Sequence, residues 1–265
     1  MEDLALGVGV VAPIALLLAK LIAPQTAFYD TFLSDTALTA VACLGKLLLL
    51  FLGALFAARS TVHFDRGEPV RLAWGLLALG LLSFLLGQLV LARYQILLRA
   101  PSPFPSVADV FFSLSYPLFI VALAVFIRAY QDAGYSSPAA QLWVLGAGVA
   151  AAGAAIGYRM LEPIARSPTS GLEKYLNLAY PIFDLVLLIP TVLLLRLTWR
   201  FRGGVGRVWT ALLGGFVLLS VGDVLFAYFS ALGQTHLDVF IHILYILCYG
   251  AIARGVIDEF RLVTA

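Results

Sequence analysis

Three ionisable residues, Lys46, Asp184 and Asp223, stand inside runs of sequence that are otherwise apolar. A charge placed in hydrocarbon costs roughly 2.5–3.5 kcal/mol on insertion scales unless it is paired or wetted, so each of the three points to a partner or a site. Counted inward from the helix ends, Lys46 lies about eleven residues deep and Asp184 about twelve, near 16 and 18 Å at about 1.5 Å per residue. The matched depths predict a buried Lys46–Asp184 ion pair, serving either as a structural clamp or as part of a ligand or proton site. Asp223, in Ser220-Val-Gly-Asp223, reaches a comparable level from its own helix. Its simplest role is a hydrogen bond to a tyrosine or serine of a neighbouring helix.

Tyrosines accompany acids in a recurring pattern. Ser106-Val-Ala-Asp109 is followed by Tyr116, Ser170-Gly-Leu-Glu173 by Tyr180, and Thr235-His-Leu-Asp238 by Tyr245. In each copy the tyrosine comes seven residues after the acid, nearly two helical turns, which puts both on one helix face. A hydroxyl with an acid three residues later is the signature of a capped helix start, the acid also suiting the positive end of the helix dipole. Ser106, Asp109, Ser170, Glu173, Thr235 and Asp238 are therefore read as caps that together form an acidic outer rim. The acids recur roughly every 64 residues, a period that suggests a repeated helix hairpin. Three helices should then start at the same membrane face. Tyr116, Tyr180 and Tyr245 would wall an outward-open ligand cavity between the fourth, sixth, seventh and eighth helices, with Asp184 and Asp223 as its polar floor. Pro117, Pro181 and Pro190 would bend their helices and free backbone carbonyls.

The elements that must carry these residues are transmembrane helices. Apolar residues make up 62% of the 265-residue chain and charged residues 12%, with a mean hydropathy of +0.99, values foreign to soluble domains. The pattern predicts an all-α, polytopic membrane bundle, one transmembrane domain over residues 1–265. Its eight helices fall at about 4–22, 35–58, 70–97, 106–128, 139–160, 172–199, 207–232 and 237–257. Glu2 and Asp3 are the opposite of a signal peptide's basic start, so the first helix is expected to be retained. Helix five is rich in glycine and alanine, and Gly153-x-x-x-Gly157 suits close helix packing. Lys and Arg in the connections set the orientation. Arg59, Arg66, Arg71, Arg128, Arg196, Arg200, Arg202, Arg207, Arg254 and Arg261 fall on one side; Lys20, Arg93, Arg99, Arg159, Arg166 and Lys174 fall on the other. The arginine-rich side should be cytoplasmic, with both termini there, in a bacterial inner membrane.

Other chemistries find little footing. Cys43 and Cys248 lie in apolar runs and read as buried, reduced thiols. His236 and His242 are six apart and cannot share a helix face, and His63 is read as part of a cytoplasmic loop. With no metal-ligand spacing, no nucleotide-binding fingerprint and no nucleophile elbow, neither a metal nor a cofactor is expected. A retinal Schiff base on Lys46 would sit on the wrong helix, since the microbial rhodopsins carry that lysine on the last one. No nucleophile and base stand at a credible spacing, so the protein is read as non-enzymatic. A net charge of +2 and the lack of a large basic cluster argue against nucleic acid as a partner.

Four stretches carry a resemblance: Pro105-Ser-Val-Ala-Asp-Val-Phe-Phe-Ser-Leu-Ser-Tyr-Pro-Leu-Phe119, Leu178-Ala-Tyr-Pro-Ile-Phe-Asp184-Leu, Val221-Gly-Asp-Val-Leu-Phe-Ala-Tyr228, and Leu237-Asp-Val-Phe through Tyr249-Gly250. Over helices two to eight the chain resembles the multi-helix N-terminal membrane module of bacterial signalling proteins, which precedes diguanylate cyclase, phosphodiesterase or histidine kinase domains. That resemblance implies a sensory input module whose last helix passes a change to a cytoplasmic output. Residues Arg254–Ala265 are too few for a catalytic output, so signalling is expected to pass to a separate protein in the membrane or at its cytoplasmic face. The expected partners are the lipid bilayer, a small-molecule or lipid ligand, and that protein. Two other readings stay open. One is a structural or assembly subunit of a larger membrane complex, suggested by the small-residue face of helix five. The other is a small-solute or proton-coupled transporter, suggested by bent helices and mid-membrane charge.

Overall fold

The computed structural model describes residues 1–22, 34–100, 102–135, 138–166, 171–198, 204–232 and 238–265, the side chains of 139, 156, 159, 160, 163, 164, 231 and 238 aside. Eight α-helices account for nearly all of them: α1 (Glu2–Ile22), α2 (Asp35–His63), α3 (Pro69–Ala92), α4 (Val107–Asp132), α5 (Ala139–Arg166), α6 (Leu172–Thr198), α7 (Gly204–Ala231) and α8 (Asp238–Thr264). A π-helical turn, Arg93–Leu97, continues α3. Among the described residues there is no strand. All helices except α5 are long and apolar enough to cross a bilayer, and α5 holds a shorter apolar stretch, Ala140–Ala155. The chain is an all-α bundle and an integral membrane protein with several passes.

The helices outrun the apolar runs that announce them, because a helix does not stop where hydrocarbon does. α2 reaches His63 and α8 reaches Thr264. His63 is thus the last residue of a helix, not part of a loop; its Nδ1 lies 2.8 Å from the Arg59 carbonyl, and its ring meets Phe260 edge-on at 5.5 Å. The charged final turns of α8 face the start of α1. Arg254 pairs with Asp3 at 3.0 Å, and Arg261 pairs with Asp3 at 2.8 Å and Glu2 at 3.2 Å. The two termini therefore share one end of the bundle, and the acidic start of the chain is neutralised by its basic close.

α2 packs against α1, α3 and α8; α4 packs against α3 and α6; α7 joins α6 to α8. α4 and α6 run in the same direction, since Asp109 near the start of α4 meets Tyr180 of α6 while Tyr116, two turns on, meets Asp184. α5, at 28 residues about 42 Å long, carries the chain back between them. Among its described side chains α5 adds none to the main cluster of buried apolar residues, and Trp143, Val144 and Tyr158 on it are exposed. Gly153 seats Leu185 of α6, whereas Gly157 approaches only Leu161 of its own helix. Comparably tight small-residue contacts lie between α3 and α4. Gly80 and Gly87 of α3 receive the rings of Phe119 and Phe112 of α4, so α3 and α4 close around an aromatic seam that includes Phe84.

α4 starts as its sequence prescribes. The Ser106 hydroxyl accepts from the Ala108 amide at 3.2 Å, and Asp109 Oδ2 accepts from the Ser106 amide at 2.6 Å. Ser106→Ala is expected to destabilise the protein by about 1 kcal/mol, the usual worth of an N-cap, measured by unfolding in mixed detergent–SDS micelles. The parallel hydroxyls, Ser170 and Thr235, lie outside the described residues.

Candidate functional site

Asp109 is both cap and cross-link. With Oδ2 held by the Ser106 amide, its Oδ1 accepts the hydroxyl of Tyr180 at 2.8 Å, tying α4 to α6. Two turns deeper, the Tyr116 hydroxyl lies 2.8 Å from Asp184 Oδ1 and 3.1 Å from Asp223 Oδ2. A phenol has one hydrogen, so it serves these carboxylates in turn. Asp223 Oδ1 takes a further hydrogen bond from Tyr245. A polar chain, Asp184–Tyr116–Asp223–Tyr245, thus runs through α6, α4, α7 and α8 at a depth where lipid offers no partners. Tyr116 and Asp184 are each only 1% exposed.

Lys46 has a different partner from the one its depth suggests. Its Nζ lies 3.2 Å from Nδ1 of His242, and among the described residues no carboxylate comes within ion-pair distance of it. The expected Lys46–Asp184 pair does not form. Equal depth says nothing about which helices are neighbours: α2 packs on α1, α3 and α8, while α6 packs on α4, α5 and α7. Lys46 is 4% exposed. One turn earlier, Cys43 donates its thiol to Gln95 Oε1 at 2.8 Å, so the π-helical turn of α3 is anchored to α2 beside the lysine. Cys43 and Cys248 are both free and buried.

These groups surround a cavity of about 220 Å³. It opens at the end where α4, α6 and α8 begin, opposite the paired termini. Polar lining comes from Lys46, Gln88, Gln95, Asp109, Asn177, Tyr180, Asp223, His242, Tyr245 and Tyr249; Phe84, Phe104, Phe112 and Phe226 give it aromatic walls. A second, more open cavity adjoins it at Gln95 and His242 and carries Lys20, Asp35 and Arg99; Lys20 and Asp35 form an ion pair there.

No family model, no curated protein and no solved structure matches this chain. The site therefore rests on its own geometry.

Tyr116, Tyr180, Tyr245 and Asp223 all line the cavity. Asp184 does not; it is shielded behind Tyr116, so the floor expected from two carboxylates is one carboxylate and a phenol. The tyrosines also do not repeat one contact: Tyr180 meets the acid of the preceding copy, whereas Tyr116 and Tyr245 converge on Asp223. α8 reaches the cavity by packing on α7, α2 and α1. Glu173 is half-buried in the first turn of α6, away from the cavity, and the Asp238 side chain is outside the described set. Sequence reasoning passed over His242, Gln88, Gln95, Asn177 and Tyr249. A usable signal exists: Gln88 and Gln95 stand seven apart on one apolar helix, the spacing of one helix face. Tyr249 follows Tyr245 by one turn, its ring stacked at 6.1 Å and its hydroxyl 3.3 Å from Gln88 Nε2.

Proposed function

We propose that this protein is a non-enzymatic ligand-binding module of a bacterial cytoplasmic membrane, with both termini in the cytoplasm, that senses a small molecule or lipid and passes the change to a protein partner. The observation that carries this reading is the partly open cavity of about 220 Å³, apolar in its walls and set with convergent polar groups contributed by six helices, the form ligand sites take. Its volume lies below the roughly 300–1,000 Å³ of drug-sized sites, which favours a small ligand. Because α2, α3, α4, α6, α7 and α8 all contribute, a ligand with different affinities for two packings of the bundle would shift the balance between them, and by no more than that difference. The excess of arginine on the side of the paired termini supports the orientation, and the resemblance to sensory membrane modules supports the role.

The experiment is purification of the wild type and Leu91→Trp from native membrane, followed by mass spectrometry of bound small molecules. Leu91 lines the cavity, and an indole there would fill it. A molecule retained by the wild type and depleted about tenfold or more in Leu91→Trp is the expected result, one lost binding site being worth at least that factor; equal retention would sink the reading. A second reading, proton-coupled transport, draws on two carboxylates bridged by one phenol inside the membrane. Proton-dependent solute uptake into liposomes that vanishes in Asp184→Asn would favour it.

A further inference from the structure

The hydrogen-bonding capacity around the cavity is unevenly spent. Its two carboxylates are satisfied from within the protein: Asp109 by the Ser106 amide and Tyr180, Asp223 by Tyr116 and Tyr245. Other lining residues have donors to spare. Lys46 carries three N–H groups and among the described residues meets one acceptor, Nδ1 of His242. An ammonium donating to Nδ1 leaves the imidazole hydrogen on Nε2, a further donor. Gln95 spends its carbonyl on Cys43 and keeps its NH₂ group, and Tyr249 accepts from Gln88 and keeps its phenolic hydrogen. The Lys46 side chain is 96% removed from solvent, the complement of its 4% exposure, with no carboxylate beside it among the described residues. A buried charge in that position lacks its counterion.

We propose, resting on the reading of this cavity as a ligand site, that its ligand is a small organic acid, the carboxylate seated on Lys46, His242 and Gln95 and the apolar body against Phe84, Phe112 and Phe226. A monoanion matches the single charge that Lys46 offers. Among the described residues the lining holds one lysine and no arginine, so a dianion such as a phosphate monoester would bring a second negative charge with no second cation to meet it, while Asp109 and Asp223 are already held by tyrosine hydroxyls. In the adjoining cavity, where Lys20 is paired with Asp35, Arg99 puts further positive charge on one way in.

Three probes that share a ring and differ in charge test this: benzoate, benzamide and benzylamine, titrated calorimetrically into the full chain in lipid nanodiscs at neutral pH. Benzoate should bind the wild type about tenfold or more tighter than benzamide, the discrimination of one charge-assisted hydrogen bond. Lys46→Met should erase that preference and Lys46→Arg should keep most of it. Lys46→Met should also melt at a higher temperature than the probe-free wild type, since it removes an unpaired buried charge. If benzylamine or benzamide binds as well as benzoate, or Lys46→Met retains the preference, the acid assignment fails while the cavity stands as a ligand site. If none of the three binds up to millimolar concentration, both fall. A Lys46→Met protein that no longer folds would make the lysine a structural clamp and overturn the proposal.

Discussion

Tyr116→Phe is expected to destabilise the protein by about 3 kcal/mol, the upper end of what a hydrogen bond to a charged group is worth. The loss is large because the hydroxyl serves two acids. Asp184 is 1% exposed, and among the described residues its Oδ2 has no hydrogen-bond partner and Tyr116 is the one donor to its Oδ1. Phenylalanine keeps the ring contacts with Phe183 and Tyr180, so the change isolates the hydroxyl. Adding Asp184→Leu should return most of the loss, because the acid that suffers is then gone. SDS-unfolding midpoints of the two variants and the wild type make the comparison. A Tyr116→Phe protein within about 0.6 kcal/mol of wild type, the mean for interhelical hydrogen bonds in membranes, would show that the bridge holds nothing together.

Gly80→Ala should cost about 3 kcal/mol, the upper part of the range for overpacking a well-filled core. A Cβ there would sit 2.6 Å from Phe119 Cδ1 and closer still to the next ring atom. The ring has no room to give: Phe119 is 1% exposed and is held by Phe84 at 5.8 Å and Phe216 at 5.6 Å. Phe119→Leu in the same chain should recover part of the loss by clearing the space. Gly7 in α1, where an added methyl would meet nothing within 4 Å, is the control; alanine there should stabilise by roughly 0.4–1 kcal/mol. Equal effects at the two positions would mean that α3 and α4 do not meet through this seat.

Much of this bundle is written in composition. Runs of about twenty apolar residues leave no alternative to helices in lipid, so eight helices and their order could be read from the chain, with errors at ends such as His63 where the helix continues past the hydrocarbon. The polar chain was half legible: Asp184, Asp223 and the three tyrosines stand out because polar groups in such runs need partners. Which partner each takes was not legible. Lys46 has the depth of Asp184 and the neighbourhood of His242, and neighbourhood is set by how helices pack, which in turn depends on seats such as Gly80 and Gly87 that look alike in sequence. Gln88 and Gln95 were hidden by being neutral. His242 was set aside when no metal-ligand spacing was found, whereas its observed role is to meet the Lys46 amine.

α8 holds Tyr245 and Tyr249 at the cavity and Arg254 and Arg261 at the far surface within one helix that contains no proline. The span from His242 to Arg261 is about 28 Å at about 1.5 Å per residue. As a stiff lever, it converts a tilt of about 3° at the binding end into a sideways travel of roughly 1.5 Å at the other, over that 1.5 Å-per-residue length. That travel is comparable with the 1–2 Å helix shifts by which other proteins transmit signals between sites, and it falls on the Arg254 and Arg261 contacts with Asp3 and Glu2.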